Sequence, residues 1–451
     1  MSARRLGGVA TLWMVTPDYR TRRAVKPKIL TTVVGYTLRQ FGADALAGVT
    51  VALVALPLSI AIAIASGAPP AAGLITAVVG GFLISALGGS RVQIGGPTGA
   101  FIVVVYGVIH DHGYHGLLMA TLMAGGFLLA GGVLRAGRLI RHIPEAVIEG
   151  FTIGIAIVIA VSQLKDLAGM AGPALPADFV PKVSGLWAMK DTVDPVSLAM
   201  GLACVAAILI LRRIMPKIPW LVVVVVLASA IAAMALPSVE TVAAHYGALP
   251  RGLPAPHLPE MDLAKVPELL PSALTIAFLA GIESLLSAMV ADRMIGGAHR
   301  SNAELIAQGA ANIASPLFGG LPATGAIART ATNVNAGGRT PVAGLIHALV
   351  ILAVLLFAAP LAGRLVLPAL AGLLVVTAWT MSEPHRWPER LRLPRPELTL
   401  LLLTALLTVL ADLTIAIAAG TALGLLLKLV RGEIEPPAWH TPFRWGGGKR
   451  K

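Results

Sequence analysis

Apolar runs long enough to cross a lipid bilayer recur along this chain from about residue 44 to about residue 430. A transmembrane helix needs about 20 mostly apolar residues, because the hydrocarbon core of a bilayer is about 30 Å thick. Of the 451 residues, 56% are hydrophobic and 13% are charged. This pattern predicts an all-α polytopic membrane protein.

We place fourteen membrane spans on these runs. They cover residues 44–66, 71–88, 96–111, 115–135, 145–163, 193–214, 218–237, 270–293, 301–318, 322–336, 341–360, 364–381, 397–411 and 413–430. The loops after the even-numbered spans carry most of the basic residues, among them Arg91, Arg135, Arg212, Arg300 and Arg339. The positive-inside rule places these loops in the cytoplasm. We therefore expect an integral protein of a bacterial inner membrane with both termini in the cytoplasm.

The chain divides into three regions. Residues 1–43 form a basic cytoplasmic segment, residues 44–430 form the membrane transport domain, and residues 431–451 form a short basic cytoplasmic tail. The net charge of +13 predicts no nucleic-acid partner, because the basic residues concentrate at span ends, as topology alone requires. Cys204 is the only cysteine, which excludes disulfides and Cys-based metal sites within the chain.

Two similar motifs interrupt apolar spans, namely Gly95–Ala100 and Gly319–Ala326. In each, a Pro breaks the incoming backbone and Thr-Gly-Ala then begins a helical run. Irregular backbone at membrane depth survives only inside protein or beside a watery cavity. A helix N-terminus carries about half a positive charge and favours anions. We predict a substrate anion held between the starts of two half-helices, at Thr98, Gly99 and Ala100 and at Thr324, Gly325 and Ala326.

These motifs fall in the third and tenth spans, which are equivalent positions if fourteen spans divide into seven plus seven. An odd number of spans per repeat inverts the second copy relative to the first. The sequence therefore predicts a seven-plus-seven inverted repeat, an arrangement in which paired broken helices indicate a transporter's substrate site.

Glu283 is a carboxylate in the middle of an apolar span, where a charge costs about 2.5–3.5 kcal/mol on insertion scales. With Ala280, Ser284 and Ser287 it forms a polar stripe at helical spacing that allows a neighbouring helix to approach closely. We interpret Glu283 and Ser287 as a site for a coupling cation or a proton. The alternative is a structural acid paired with a buried base.

Arg329 follows the second motif by one turn and could supply a fixed positive charge to an anion. The alternatives are a salt bridge to Glu283 and extension of the side chain towards the cytoplasmic rim. Thr98 and Thr324 offer hydroxyl ligands, and N-capping is the alternative role for both.

A cofactor or metal is not predicted beyond a coupling Na⁺ or H⁺. The His110, Asp111, His112 and His115 group resembles a metal site, but it falls in a short outer turn where polar residues are expected. The sequence has no phosphate-binding G-x-x-x-x-G-K-[ST] motif and no H-E-x-x-H motif. An intramembrane enzyme is disfavoured, because the polar residues of the spans form no nucleophile–base set.

The chain resembles the sulfate permease (SulP) family of anion transporters. The resembling segments are Asp44–Pro57, Ala65–Leu74, Gly96–Ala100, Gly281–Leu286, Ala291–Asp292, Gly319–Gly325 and Ala328–Pro341. The resemblance implies a core domain from spans 1–4 and 8–11 and a gate domain from spans 5–7 and 12–14. It also implies elevator-like transport of inorganic oxyanions, chloride, bicarbonate or dicarboxylates.

Three features depart from the family pattern. A cytoplasmic STAS domain usually follows the last span of family members, and this sequence shows none, which leaves homodimer formation open. Leu58 stands where many members carry Gln or Glu, and it looks like the bicarbonate-transporting branch. Ile327 stands where sodium-coupled bicarbonate carriers place Thr, which counts against sodium coupling.

The sequence thus predicts a secondary active transporter for a small inorganic oxyanion of the sulfate or bicarbonate class, or for a dicarboxylate. Two alternatives are a nucleobase:cation symporter of similar fold and an uncoupled anion channel. The basic residue Arg329 in the tenth span favours an anion over a nucleobase.

Overall fold

A computed structural model describes residues 25–137, 144–215, 218–259, 263–411 and 413–430. The α-helices are α1 Ile29–Thr32, α2 Leu38–Ala65, α3 Pro70–Leu87, α4 Ile102–Val133, α5 Glu145–Ser162, α6 Leu164–Leu167, α7 Phe179–Ala188, α8 Pro195–Ile214, α9 Trp220–Ala235, α10 Val242–Tyr246, α11 Val266–Ile295, α12 Ser301–Leu317, α13 Ile327–Asn335, α14 Val342–Phe357, α15 Ala359–Gly363, α16 Leu367–Met381, α17 Trp387–Arg390, α18 Arg395–Leu410 and α19 Leu413–Val430. Short 3₁₀ helices cover Gly99–Phe101, Lys190–Thr192, Leu263–Lys265 and Pro384–Arg386. Two short strands, β1 Gly95–Gly96 and β2 Thr324–Gly325, complete the described elements.

Each of the fourteen predicted segments contains a helix, and six stretches of the described chain are long and apolar enough to cross a membrane. These six are α2, α3, Gly99–Val133, Glu145–Leu167, α8 and α11. Shorter apolar helices are α9, α14 and the stretch Ala418–Leu429 within α19. The structure therefore gives a helical membrane protein, while the fourteen-span inverted repeat stays a prediction.

The first long helix begins earlier than predicted, at Leu38 instead of residue 44. Thr37 and Gln40 form a capping box, in which each side chain bonds to the other residue's backbone N–H. This cap satisfies backbone donors that the helix itself cannot pair. The predicted cytoplasmic segment 1–43 therefore includes the first turns of α2 and the short helix α1, whereas residues 1–24 lie outside the described chain, as does the predicted tail 431–451.

The third and fourth predicted spans are the two parts of α4, which separate at Gly113. The backbone there has φ 71° and ψ 178°, a conformation that glycine adopts without a Cβ penalty. The helix that follows Gly99 is thus a short half-helix, as predicted. The tenth predicted span is shorter than expected, because its first residues form β2 and the helix α13 begins only at Ile327.

Glycines bring the membrane helices into close contact. A Cβ on Gly125 of α4 would lie 2.7 Å from the backbone N of Ile313, and one on Gly309 of α12 would lie 2.6 Å from the backbone N of Leu129. These distances are shorter than real Cβ contacts, so only glycine permits this approach. Small residues at such interfaces are typical of membrane helices, where van der Waals packing drives association.

Candidate anion-binding site

The two half-helix starts lie side by side because the extended stretches before them pair. Strands β1 and β2 are antiparallel, with Gly95 opposite Gly325 and Gly96 opposite Thr324. Gly99 begins the 3₁₀ turn that leads into α4, and α13 starts two residues after β2. The structure thus brings the two predicted motifs together.

Backbone donors at these starts differ from those predicted. The N–H of Ala326 donates to the Ile94 carbonyl at 2.9 Å, so this residue extends the strand pairing instead of opening the helix. Within the described chain, the structure records no acceptor for the N–H groups of Gly99 and Ala100. The first N–H groups of a helix have no intrahelical partner and can bind an anion.

Glu283 and Thr98 form a direct link between α11 and the first half-helix. The Thr98 hydroxyl donates to Glu283 Oε2 at 2.7 Å, and both residues are partly exposed. Thr98 does not cap the helix through its side chain. The predicted carboxylate therefore lies beside the predicted anion site and shares a hydrogen bond with one of its residues.

The polar stripe of α11 contacts the second motif. Thr324 donates its hydroxyl to the Ala280 carbonyl at 3.0 Å, so it caps no helix. Ser287 and Thr330 hydroxyls lie 3.2 Å apart, and both residues are fully buried. Ser287 thus touches α13, one turn from Glu283, and the stripe provides the close approach that its small residues predict.

Arg329 is 2% exposed and lies away from any surface. Its Nη2 donates to the Ser59 hydroxyl at 3.0 Å, while Nε and Nη1 have no hydrogen-bond partner in the described part of the chain. The described ion pairs include none between Arg329 and Glu283, so the predicted alternative of a salt bridge is wrong. Because the side chain is buried, the alternative of extension towards the cytoplasmic rim is wrong too. Nη1 lies next to Gly96, where a Cβ would come within 2.3 Å.

Residues 41–404 match the model of the sulfate permease family. The chain belongs to the sulfate permease family. It is therefore an integral membrane transporter and not an enzyme, as predicted.

Two relatives are similar to this permease over most of its sequence. The putative sulfate transporter YvdB of Bacillus subtilis is 42% identical, over 88% of this chain and 75% of that protein. The bicarbonate transporter BicA of Picosynechococcus is 32% identical, over 87% of this chain and 71% of that protein.

Solved structures agree with this fold. The transmembrane domain of a cyanobacterial BicA superposes with a TM-score of 0.77 at 34% identity, covering 84% of this chain and 98% of that domain. SLC26A9 has a TM-score of 0.83 at 19% identity, covering 92% of this chain and 69% of that protein, and so supports the fold alone.

Sequence reasoning missed a buried polar network behind the permease's candidate site. The Glu304 carboxylate is fully buried and accepts from the Ser284 hydroxyl at 2.8 Å, from Gln308 Nε2 at 2.9 Å and from the Gly89 backbone N–H at 2.9 Å. Gln93 Nε2 donates to the Ser284 hydroxyl at 2.9 Å. One sequence pattern could have indicated this network. Glu304, Gln308 and Asn312 are spaced four residues apart and so share one face of a helix.

This network fills the space beside Gly325. A Cβ on Gly325 would come 1.5 Å from Gln93 Nε2. The absence of a side chain at Gly325 therefore leaves room for Gln93. At Gly99, by contrast, a Cβ would meet Met381 Sδ at 3.3 Å and Ile159 Cδ1 at 3.5 Å, which is close to ordinary contact.

His347 is a second residue that the sequence did not single out. It lies on α14, is fully buried, and both ring nitrogens are without a hydrogen-bond partner among the described residues. Its ring approaches Gly81, whose Cβ would lie 3.7 Å from His347 Cε1. A single His in an apolar span carries no sequence pattern that predicts its burial without hydrogen-bond partners.

The His and Asp residues near the α4 bend show no metal geometry. His110 Nδ1 and Asp111 Oδ1 lie 2.9 Å apart on the surface. Over the ranges that the structure describes, no group of three or more His, Cys, Asp or Glu residues is placed to hold a metal ion.

Proposed function

We propose that this permease is a secondary active transporter that holds a small inorganic oxyanion, or a dicarboxylate, between the starts of the two half-helices. The observation that carries the proposal is the pairing of β1 with β2, which sets the Gly99 helix start beside α13. Open N–H groups at Gly99 and Ala100 would bind the anion, and helix dipoles would add to the attraction. Arg329 would contribute charge from behind Gly96.

The proposed motion is an elevator-like displacement of a core domain against a gate domain. Two groups of helices pack extensively within themselves, which supports this division. One group contains α2, α3, α4, α11, α12 and α14, and the other contains α5, α8, α16, α18 and α19. The antiparallel strand pair between equivalent motifs supports the seven-plus-seven inverted repeat. We also propose that the protein forms a homodimer in a bacterial inner membrane, with both termini in the cytoplasm.

Sulfate and bicarbonate are the first substrates to test, because the relatives' names state these anions. Radiolabelled sulfate, bicarbonate and fumarate would be offered to proteoliposomes under sodium and proton gradients. Accumulation of one anion above its equilibrium level under one gradient is the expected result. Uptake that only equilibrates would indicate a channel, and uptake of none of the three would overturn the substrate class. Family membership disfavours the nucleobase symporter.

Glu283 is proposed as the coupling site, with Ser287 beside it. Glu283→Gln keeps the shape and the bond from Thr98, which the amide oxygen can still accept, and removes the charge. We expect gradient-driven accumulation to fail while equilibrium exchange and expression persist. Glu268→Gln is the matched control, since Glu268 is an exposed residue of the same helix. Normal accumulation by the Glu283 variant would rule out this role.

A further inference from the structure

Three segments that are far apart in the sequence meet where α3 ends and where α1 and α12 begin. The backbone N–H of Lys28 donates to the Gly88 carbonyl at 2.8 Å, and the N–H of Arg300 donates to the Gly89 carbonyl at 3.0 Å. A Cβ on Gly89 would lie 2.1 Å from the Arg300 carbonyl oxygen, so only glycine permits this approach. The structure therefore holds these three segments together at one junction.

Basic side chains gather at this junction. Lys28 Nζ donates to a backbone carbonyl of the loop before α12 at 2.7 Å. Arg300 Nη1 donates to the carbonyls of Lys26 and Pro27 at 2.9 Å and 3.2 Å. Arg91, two residues beyond the paired glycines, is exposed at the same place. Three positive charges from separate parts of the chain, those of Lys28, Arg91 and Arg300, are thus drawn together by hydrogen bonds.

The charges of the junction act on one another. Burial lowers the pKa of Lys28, and the charges of Arg300 and Arg91 lower it further. Asp292 opposes them with a smaller effect, and its carboxylate already accepts from the His299 backbone N–H at 2.7 Å. On Lys28, therefore, two neighbouring cations outweigh the carboxylate that acts on it in the described chain. An added anion would relieve this repulsion.

The junction lies at the level of the lipid headgroups. The 28 residues of α2 extend about 42 Å, whereas the hydrocarbon core of a bilayer is about 30 Å thick. The first turns of α2 therefore reach into the headgroup region, on the side that the predicted topology assigns to the cytoplasm. Large apolar side chains beside the junction are nevertheless exposed, with Leu30 at 64%, Val34 at 83% and Leu38 at 89%. Basic groups next to exposed apolar side chains are typical of segments that lie in the membrane interface.

We propose that Lys28, Arg91 and Arg300 form a headgroup site, which binds the phosphate of an anionic phospholipid in the cytoplasmic leaflet, while the apolar side chains of residues 30–38 contact its acyl chains. Clusters of Lys and Arg beside a membrane span bind anionic lipids. The positive-inside rule requires basic residues on this side, but it does not require hydrogen bonds that draw them to one point.

The headgroup site is also connected to the interior of the permease. The Glu304 carboxylate of the buried polar network accepts from the backbone N–H groups of Gly89 and Ser90, at 2.9 Å and 3.3 Å. A lipid bound at Arg91 would therefore brace the segment that this network holds. The headgroup site does not depend on which anion the permease transports.

The first test follows thermal unfolding of the detergent-purified protein as phosphatidylglycerol, or phosphatidylcholine with the same acyl chains, is added. We expect phosphatidylglycerol to raise the unfolding temperature at a lower concentration than phosphatidylcholine. Arg91→Gln should raise the half-maximal concentration of phosphatidylglycerol about fivefold, and Arg91→Gln combined with Lys28→Gln about 25-fold. Arg213→Gln is the matched control, because it removes an exposed charge at the predicted cytoplasmic end of α8, and it should leave this concentration nearly unchanged.

Equal half-maximal concentrations for the two lipids would overturn the headgroup site, as would equal effects of Arg91→Gln and Arg213→Gln. Inorganic phosphate distinguishes a lipid from a free anion. If phosphate protects the protein at the same concentration as phosphatidylglycerol, and Arg91→Gln removes that protection, a lipid is not the occupant. Because Arg91 is exposed, its replacement tests the site even if Lys28→Gln does not fold.

The second test locates the apolar segment. Val34→Cys would be placed in a Cys204→Ser background, which removes the one native cysteine, and labelled with an environment-sensitive fluorophore. We expect bluer emission in liposomes of equal parts phosphatidylcholine and phosphatidylglycerol than in phosphatidylcholine alone, and we expect Arg91→Gln to reduce this difference. Identical emission in the two bilayers would overturn the proposed lipid contact. Both tests stand whether or not the parent protein transports a tested anion.

Discussion

Gly325 provides the sharpest test of how the candidate site is built. Replacing it with Ala places a Cβ 1.5 Å from Gln93 Nε2 and 2.6 Å from its Cδ. Gln93 is 4% exposed and cannot swing into solvent. Accommodation therefore requires Gln93 to leave Ser284, to which it donates at 2.9 Å and 3.2 Å.

The cost can be worked from these contacts. Overpacking a dense core costs about 1–3 kcal/mol, and each lost hydrogen bond removes about 1 kcal/mol. We expect Gly325→Ala, which loses both Gln93–Ser284 bonds, to lower the free energy of unfolding by about 3–5 kcal/mol, as measured by denaturant titration in detergent. In a Gln93→Ala background the same change should cost less than about 0.5 kcal/mol, because the clashing atoms are gone.

Gly126→Ala is the control for the loss of a glycine. A Cβ at Gly126 on α4 meets nothing within 4 Å, so this variant should be neutral or slightly stabilised. Equal costs of Gly325→Ala in the two backgrounds would refute the reasoning. So would a Gly325→Ala variant as stable as the parent, since Gln93 would then not be held against the strand.

Three further predictions concern the free energy of unfolding in the same assay. Arg390→Met should lower the free energy of unfolding by about 2–3 kcal/mol, because Arg390 is buried and donates to Glu149 at 3.1 Å and to Glu383 at 2.7 Å. Arg392→Met is the control, since Arg392 is exposed. Equal effects of the two changes would contradict a role for the buried ion pairs. Thr37→Ala should cost about 0.5–2 kcal/mol through loss of the α2 cap, and Thr31→Ala, which lies outside the cap, should cost less. His347→Leu should stabilise the protein by about 1–2 kcal/mol, because it removes two buried nitrogens without partners in the described chain; destabilisation would show that the ring is satisfied by another group.

The placement of helices was predictable because it depends on one strong signal. In lipid, backbone groups must pair internally, so each long apolar run becomes a helix. The half-helices were predictable for the same reason, since Pro97 and Pro322 sit where a continuous helix was otherwise expected. Helix ends were less predictable. The start of α2 depends on the Thr37 capping box, and the start of α13 depends on pairing with residues more than 200 positions away.

Side-chain partners in the site could not be read from the sequence. Arg329 bonds Ser59 across 270 positions, and Thr98 bonds Glu283 across 185. Helical periodicity shows which residues share a face, but it does not show which neighbouring helix covers that face. The Arg329–Glu283 pair was therefore a reasonable alternative on charge alone, and packing decides against it. Gln93 and Glu304 were not predicted as site residues because their partners lie on α11, on α12 and in the segment 89–90 that follows α3.

The position of Glu283 gives a physical reason for coupling. Two like charges about 5 Å apart repel by about 3 kcal/mol at an effective dielectric constant of 20. An ionised Glu283, bonded to Thr98 at 2.7 Å, would impose such a penalty on an anion at the neighbouring Gly99 and Ala100 N–H groups. A proton or a cation bound at Glu283 would remove the penalty. Because linkage is reciprocal, the anion would then raise the affinity for that proton or cation by the same factor. If the proposed anion site is correct, joint binding of the anion and its counter-charge would follow from placing one carboxylate beside two helix starts.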